Sequence, residues 1–473
     1  MRSLPLFLLA GCLAPYPVEP CAETATCRSA FGVGAVCGDD GFCKIAGPHP
    51  RCEQSWPEDL WARPEAYGDH VVLGAMFDLG PDLPNLKAAT LAFAEASQAG
   101  LPNGVEVALV ACAYGEESAA DGLSLEEAVV ETGTWLRDTL DVPAVIGPGN
   151  SATALIAYDA LAPRDVLLIA PSATSPKLVT IDGETSTDAE PGLFWRPAPP
   201  DDAQAVAIAA DLRSRGVREI SVIYQDNLYG SELATLVEAA HTGPKTLLPY
   251  VDDNGRNSAV QAAVASGTTE EVVFIAADVQ DVVAFLNSAA FIASYDDVRI
   301  FLTDAATDPF LFEETSAEAQ AKLFPVIRGS RPATPAGPVY DSFVISYAAA
   351  YDGEDPTRDG FNAYAYDAGW MAMYGLAWAT VQEDAIGGTN MARAMRRLAG
   401  PGAYVPVGPA GWSETTAAFA AGASVDLEGT SGDLDFDPVT GETVNSIEVW
   451  VPRDGAFVVV TLCQPDGACI GIE

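Results

Sequence analysis

From residue 70 onward, short runs that are apolar throughout alternate with longer stretches in which apolar residues recur every three or four positions. Val71–Phe77 is one such run and leads into Asp78-Leu79-Gly80-Pro81, which predicts a strand and then a turn. Residues 86–99 have helical spacing, and 105–112 predict a second strand. Residues 124–140 predict a helix opened by Ser124, with Glu126 and Glu127 in the first turn, where the helix dipole favours acids. A third strand at 144–147, a helix at 151–161 and a fourth strand at 166–170 follow. The alternation resumes with helix 203–215, strand 220–224, helix 228–241, strand 272–275, helix 279–291 and strand 298–302. Strands that are apolar on both faces, separated by amphipathic helices, predict parallel sheets covered on each side. Two doubly wound α/β units are therefore expected, with ligand positions just beyond the carboxyl ends of their strands. The stretch Phe194-Trp195-Arg196-Pro197-Ala198-Pro199-Pro200 between them reads as a stiff crossover.

Composition narrows the function. The chain has 473 residues, 49% of them hydrophobic, enough for large cores and too apolar for general disorder. Its 24 basic and 66 acidic residues leave a net charge of -42, which repels phosphate backbones and anionic lipid, so nucleic-acid binding is not expected. His49, His70 and His241 stand apart, without acidic or cysteine neighbours at ligand spacing. No metal site or cofactor is expected from them, and no Ser-His-Asp triad. The chain also lacks a GxSxG elbow, a GxxxxGK[ST] loop and a GxGxxG after a strand, so an enzyme is not expected.

The first residues and the cysteines point to export. Arg2, a short apolar run and small residues before Cys12 have the order of a secretory signal over 1–11, too short to span a bilayer. Leu9-Ala10-Gly11-Cys12 resembles the bacterial lipobox, which implies cleavage before Cys12 and acylation of that residue. Leu13, in place of a retention aspartate, implies the outer rather than the inner membrane. Eight further cysteines (Cys21, Cys27, Cys37, Cys43, Cys52, Cys112, Cys463 and Cys469) form an even set, as disulfides require in an oxidising compartment. Five of them fall between 21 and 52, among few large apolar residues, where covalent staples must hold the shape. Many pairings are formally open; the first four are expected to pair among themselves, for example Cys21–Cys37 with Cys27–Cys43. Cys463 and Cys469 flank a turn sequence and suit a local bridge, which leaves Cys52 for Cys112.

Six motifs in order carry a family resemblance over about residues 71–460. These are Ile146-Gly147-Pro148-Gly149-Asn150-Ser151, then Ala170-Pro171-Ser172-Ala173-Thr174-Ser175-Pro176, then Phe194-Trp195-Arg196 with Asp202-Ala203-Gln204-Ala205. Val222-Ile223-Tyr224-Gln225-Asp226-Asn227-Leu228-Tyr229-Gly230, Ala363-Tyr364-Ala365-Tyr366-Asp367-Ala368 and Gly429-Thr430-Ser431-Gly432-Asp433-Leu434-Asp435-Phe436-Asp437 complete the set. The chain resembles type I periplasmic substrate-binding proteins, the branch with branched-chain amino-acid receptors of ABC transporters. The resemblance implies two Rossmann-like lobes joined by a three-strand hinge, with ligand captured in the cleft between them. Its crossings place lobe one at 68–197 and 327–428, lobe two at 198–326 and 429–473, and a Cys-rich, lipid-anchored spacer at 12–67.

The resemblance also implies a site. Ser151, opening a helix, with Ser172 and Thr174 on the second loop, would take a ligand carboxylate, since hydroxyls and helix N-termini suit anions. Asp304 matches the acidic position that holds an ammonium, and Tyr229 would form a flat wall. Asp78 stands beside the expected cleft and either repels a carboxylate, attracts a cation or caps the helix near Pro84. Ala276-Ala277-Asp278 replaces an aromatic common in the family, giving a wider or more polar pocket. The leading expectation is a monomeric, membrane-anchored periplasmic receptor for a small polar ligand (amino acid, amide, peptide fragment or polyamine), working with an ABC permease or a sensor. The alternative is an outer-membrane lipoprotein of the same fold that regulates other proteins, such as peptidoglycan synthases, and binds no small solute.

Overall fold

A computed structural model describes residues 20–115, 118–183, 187–334 and 336–472. The expected signal at 1–11 and the lipidation site Cys12 lie outside the described residues. Among those residues no helix is long and apolar enough to cross a membrane.

The apolar runs become the central strands of two sheets. In the first, the order is Gln54–Trp56, Val107–Ala113, Val71–Phe77, Ala144–Ile146, Leu167–Ile169 and Phe194–Trp195, with the last five parallel and only Gln54–Trp56 antiparallel. Its central strands are buried along nearly their whole length, which is why they lack the alternating pattern of a half-exposed sheet. One face is covered by the helix Leu83–Ala99 and by Asn362–Gln382, a helix buried from Asn362 to Ala379. Such a helix is apolar all round and shows no single polar face. Small residues let these two helices approach closely: a Cβ at Gly369 would run into the Ala89 backbone and the Ala92 side chain. The helices Leu125–Asp138 and Ser151–Leu161 cover the other face. Leu125–Asp138 starts with a capping box in which Ser124 Oγ accepts the Glu127 N–H at 3.3 Å and the Glu127 carboxylate accepts the Ser124 N–H at 3.0 Å.

The second sheet runs Lys245–Tyr250, Ile220–Gln225, Glu271–Ile275, Arg299–Leu302, Ile327–Pro332, Ile447–Arg453, Ala456–Cys463 and Cys469–Gly471. The first five strands are parallel and the last three antiparallel. Because Ile327–Pro332 pairs with Arg299–Leu302, residue 327 is the start of a strand of the second lobe and not the point where the chain leaves it. The edge strand Lys245–Tyr250 has no counterpart among the elements that the apolar pattern predicts. It is half exposed and contains Pro249, so it lacks the apolar run that marks its neighbours.

Among the described residues there are four disulfides, Cys21–Cys37, Cys27–Cys43, Cys52–Cys112 and Cys463–Cys469, the pairs offered from the sequence. Residues 20–67 are docked on lobe one rather than standing clear of it. Val33 and Leu60 join that lobe's core, the Arg28 guanidinium donates to the Leu140 carbonyl, and Gln54–Trp56 is an edge strand of its sheet.

The first crossover is organised by Arg196, which is fully buried. Its Nη1 donates to the carbonyls of Ala173 at 2.6 Å and Ser175 at 2.9 Å, and its Nε pairs with Glu442 at 2.6 Å. One side chain thus joins the second binding loop, the first crossing and the segment that follows the last. Nearby, Asp367 accepts the N–H groups of Thr430 at 2.9 Å and Ser431 at 2.8 Å, tying the helix Asn362–Gln382 to the closing crossover. Removing one member of a buried ion pair leaves the other charged and unsatisfied. Arg196→Ala is therefore expected to cost about 3–5 kcal/mol in denaturant unfolding, and Arg196→Met with Glu442→Leu to recover most of that loss.

Candidate functional site in the cleft between the lobes

A cleft of about 430 Å³ opens between the carboxyl ends of the two sheets. All six residues expected from the sequence, Asp78, Ser151, Ser172, Thr174, Tyr229 and Asp304, line it. The topology explains the convergence, because each follows a strand or opens the helix after it, and the two sheets present those ends to one another.

On lobe one, the turn after Ala144–Ile146 brings Gly149, Asn150 and Ser151 to the cleft. Gly147 has φ +83°, and a Cβ there would strike the Met76 carbonyl, so only glycine lets this turn pass the neighbouring strand. The helix Ser151–Leu161 is capped by Asn150, whose Oδ1 accepts the N–H groups of Ala152 at 2.8 Å and Thr153 at 3.4 Å. Ser151 is thus not the cap. Its Oγ accepts the Ser175 N–H at 3.1 Å and so fastens the first binding loop to the second. Asp78 does not cap a helix either. Its carboxylate accepts the Gly80 N–H at 3.3 Å, and its own N–H donates to Asp82 at 3.2 Å. Asp82 directly precedes the helix Leu83–Ala99 and makes no side-chain cap.

On lobe two, Asp304 sits in the turn after Arg299–Leu302, is 4% exposed, and accepts from the Tyr229 hydroxyl and from Gln204 Nε2 at 3.2 Å. Tyr229 is therefore a cleft wall whose polar tip is held by the acid beside it. Asp201 lies behind Thr174, whose carbonyl accepts its N–H at 2.9 Å. Burial raises the pKa of both Asp201 and Asp304, and for Asp201 the neighbouring Asp304 adds to the shift.

Sequence reasoning missed Asp82, Asn85, Tyr114, Asp308, Asp359 and Phe361 as lining residues; Asp278, noted there as a departure from the family, also faces the cleft. Asp82 and Asp308 follow strand ends, so a search for acids in those loops would have found them. Asp359 and Phe361 belong to the segment leading into Asn362–Gln382, and their place is set by how that helix packs. Burial first, and then the neighbouring Asp78, pushes the Asp82 pKa up to about 7. Asp359 is likewise pushed up to about 7, mainly by burial, with Asp308 adding to the shift. Burial also raises Asp278 and Asp308.

Two α/β lobes with a polar cleft at facing strand ends are the geometry of a receptor that closes on a ligand. The family model described as the receptor family ligand-binding region matches residues 88–440, more than half of the chain. The chain belongs to this receptor family. No curated protein sequence matches it significantly. Among solved structures, this receptor-family chain is similar to a leucine-binding protein LivK from Thermotoga maritima. The TM-score is 0.65 and the identity 16%, covering 84% of this chain and 100% of the other. It is similar to the branched-chain amino acid transporter substrate-binding protein LivJ from Streptococcus pneumoniae in complex with isoleucine, with TM-score 0.61, 18% identity and coverage of 83% and 99%. A third is an ABC transporter solute-binding protein from R. palustris in complex with benzoate, with TM-score 0.59, 16% identity and coverage of 85% and 98%. At these identities the likeness establishes the fold, type I periplasmic binding protein, and the ligand must be argued from the cleft.

The raised carboxylates set a pH dependence. Asp82 keeps its proton in the folded cleft up to about pH 7 but loses it near 3.8 when unfolded, so the folded state binds more protons between those values. Its contribution to stability is complete below pH 3.8 and is lost as pH rises through 7. Asp82→Asn is therefore expected to raise the melting temperature by about 2–4 °C at pH 8 and to change it little at pH 4, as scanning calorimetry at both values would read.

Proposed function

We propose that the protein is an extracytoplasmic solute-binding receptor that captures a small polar ligand between its lobes for an ABC transporter or a sensor. The observation that carries this reading is the open cleft, where hydroxyls of Ser172 and Thr174 converge with carboxylates of both lobes. A protein that only docks other proteins has no need of such a cavity, and its cleft would be filled or apolar. The neighbouring structures support the reading, since the LivJ structure holds isoleucine and the R. palustris protein benzoate, and both are components of transporters. The four disulfides suit an oxidising compartment outside the cytoplasm. Acylation at Cys12 would hold the protein at a membrane surface, with the outer membrane favoured over the inner. Asp304 and Ser151 would contribute from opposite sides of the cleft, and a ligand touching both would stabilise the closed form.

A thermal-shift screen of the soluble chain against amino acids, amides, oligoamines and aromatic acids tests this. A ligand at about 100 times its Kd adds about 2.7 kcal/mol and raises the melting temperature. The receptor reading expects at least one such compound, with the shift abolished in the Ser151→Ala, Asp304→Ala double variant. No shift with any class would favour the protein-docking alternative.

A further inference from the structure

The cleft carries more negative charge than a zwitterionic ligand needs. Its charged lining residues are Asp78, Asp82, Asp278, Asp304, Asp308 and Asp359, and among the described residues no lysine, arginine or histidine lines it. Arg331, Arg358 and Arg256 stand behind the lining and favour the charged forms of Asp359, Asp308 and Asp278, but burial outweighs them, and Arg331 also pairs with Glu448 and Arg358 with Glu313 at 2.5 Å. The acids act on one another across the cleft, since Asp82 is repelled by Asp78 and Asp359, and Asp359 by Asp308 on the other lobe. An independent sign comes from Asn85, which lines the cleft and is 7% exposed. Its Nδ2 donates to Asp359 at 3.0 Å, and this fixes the amide orientation. Its Oδ1 is buried and has no hydrogen-bond partner. A buried acceptor without a donor, among carboxyl groups crowded enough to hold protons near neutral pH, marks a place for a positive group that donates in several directions. An ammonium has three N–H donors and a positive charge, whereas a carboxylate entering here would meet the hydroxyls of Ser172 and Thr174 but no cation.

We infer that the cleft takes an organic oligoamine, with two or more ammonium groups and no carboxylate. One ammonium would lie against Asp82, Asp359 and Asn85 Oδ1, and another against Asp304. This identification rests on the receptor reading and names its ligand class. It also offers closure a cause: Asp308 and Asp359 line the cleft from opposite lobes, and a bound cation would offset the repulsion between them.

Isothermal titration of the soluble chain with spermidine, and separately with L-leucine, in about 0.15 M salt to screen general attraction to the surface, tests it. Spermidine is expected to saturate one site per chain and leucine to give no heat. Asp304→Asn and Asp359→Asn should each weaken spermidine by about 10- to 100-fold, and Asn85→Ala by about 3- to 10-fold. Asp253→Asn, at an exposed acid on lobe two, should leave the affinity unchanged. Spermidine binding that is equally strong in all four variants would reflect the net charge alone and overturn the assignment. Leucine binding without spermidine binding would overturn the oligoamine while leaving the receptor reading intact. Silence from spermidine overturns the oligoamine in any case, and the wider thermal-shift screen then decides the receptor reading separately.

Discussion

The fully buried guanidinium of Arg196 is the point from which the working geometry of this molecule is held. It stands where the chain first crosses between lobes, donates to two carbonyls of the second binding loop, and pairs with Glu442 beyond the last crossing. A planar donor set of this kind fixes direction as well as distance, which a lysine in the same place would not do. The loop so held carries Ser172 and Thr174 into the cleft, and its Ser175 N–H is the donor that engages Ser151. Two binding loops and two crossovers therefore share one electrostatic anchor. The guanidinium and the Glu442 carboxylate answer each other's charge, and no such cation is placed among the lining residues of the cleft a short way off.

There the arrangement is reversed. Carboxylates are gathered at the facing strand ends without a cation among the lining residues, and burial drives several of them toward their protonated forms. Such a surface is held in a costly state by the rigid sheets behind it and is relieved when something positive and rich in donors enters. The acids come from both lobes, so under the proposed oligoamine binding the relief would bear on the movement of one lobe toward the other.

The N-terminal segment bears on the same frame. It contains little material for a core of its own, and its shape depends on Cys21–Cys37 and Cys27–Cys43. Yet it lends Val33 and Leu60 to lobe one, and Cys52–Cys112 stitches it to a central strand. What read as a spacer is, from residue 20 on, a brace against the back of that lobe.

The residues alone pointed to two α/β units with parallel central strands, and the family resemblance carried by six motifs supplied the cleft residues first named. Apolar runs and helical spacing are local signals, and the rule that strand ends face the ligand converts them directly into a site. The cysteines' spacing and setting grouped them into a set of four, a local pair and a remaining pair, and the structure joins Cys21 to Cys37 and Cys27 to Cys43 within the set. Local pattern does not carry what depends on distant segments meeting. Edge strand Lys245–Tyr250 is half exposed and lacks an apolar run, and Ile327–Pro332 can be assigned to a lobe only through its hydrogen bonds to Arg299–Leu302. The cap of the helix Ser151–Leu161 is Asn150, and Ser151 Oγ instead takes the Ser175 N–H, a contact between loops 24 residues apart. Asp359 and Asn85 come together only because the helices Asn362–Gln382 and Leu83–Ala99 pack through small residues, and that contact joins positions 274 apart in the chain. The fold was written in short-range hydrophobic order, whereas the charge of the cleft was decided by long-range packing, which brings like charges together that the sequence keeps far apart.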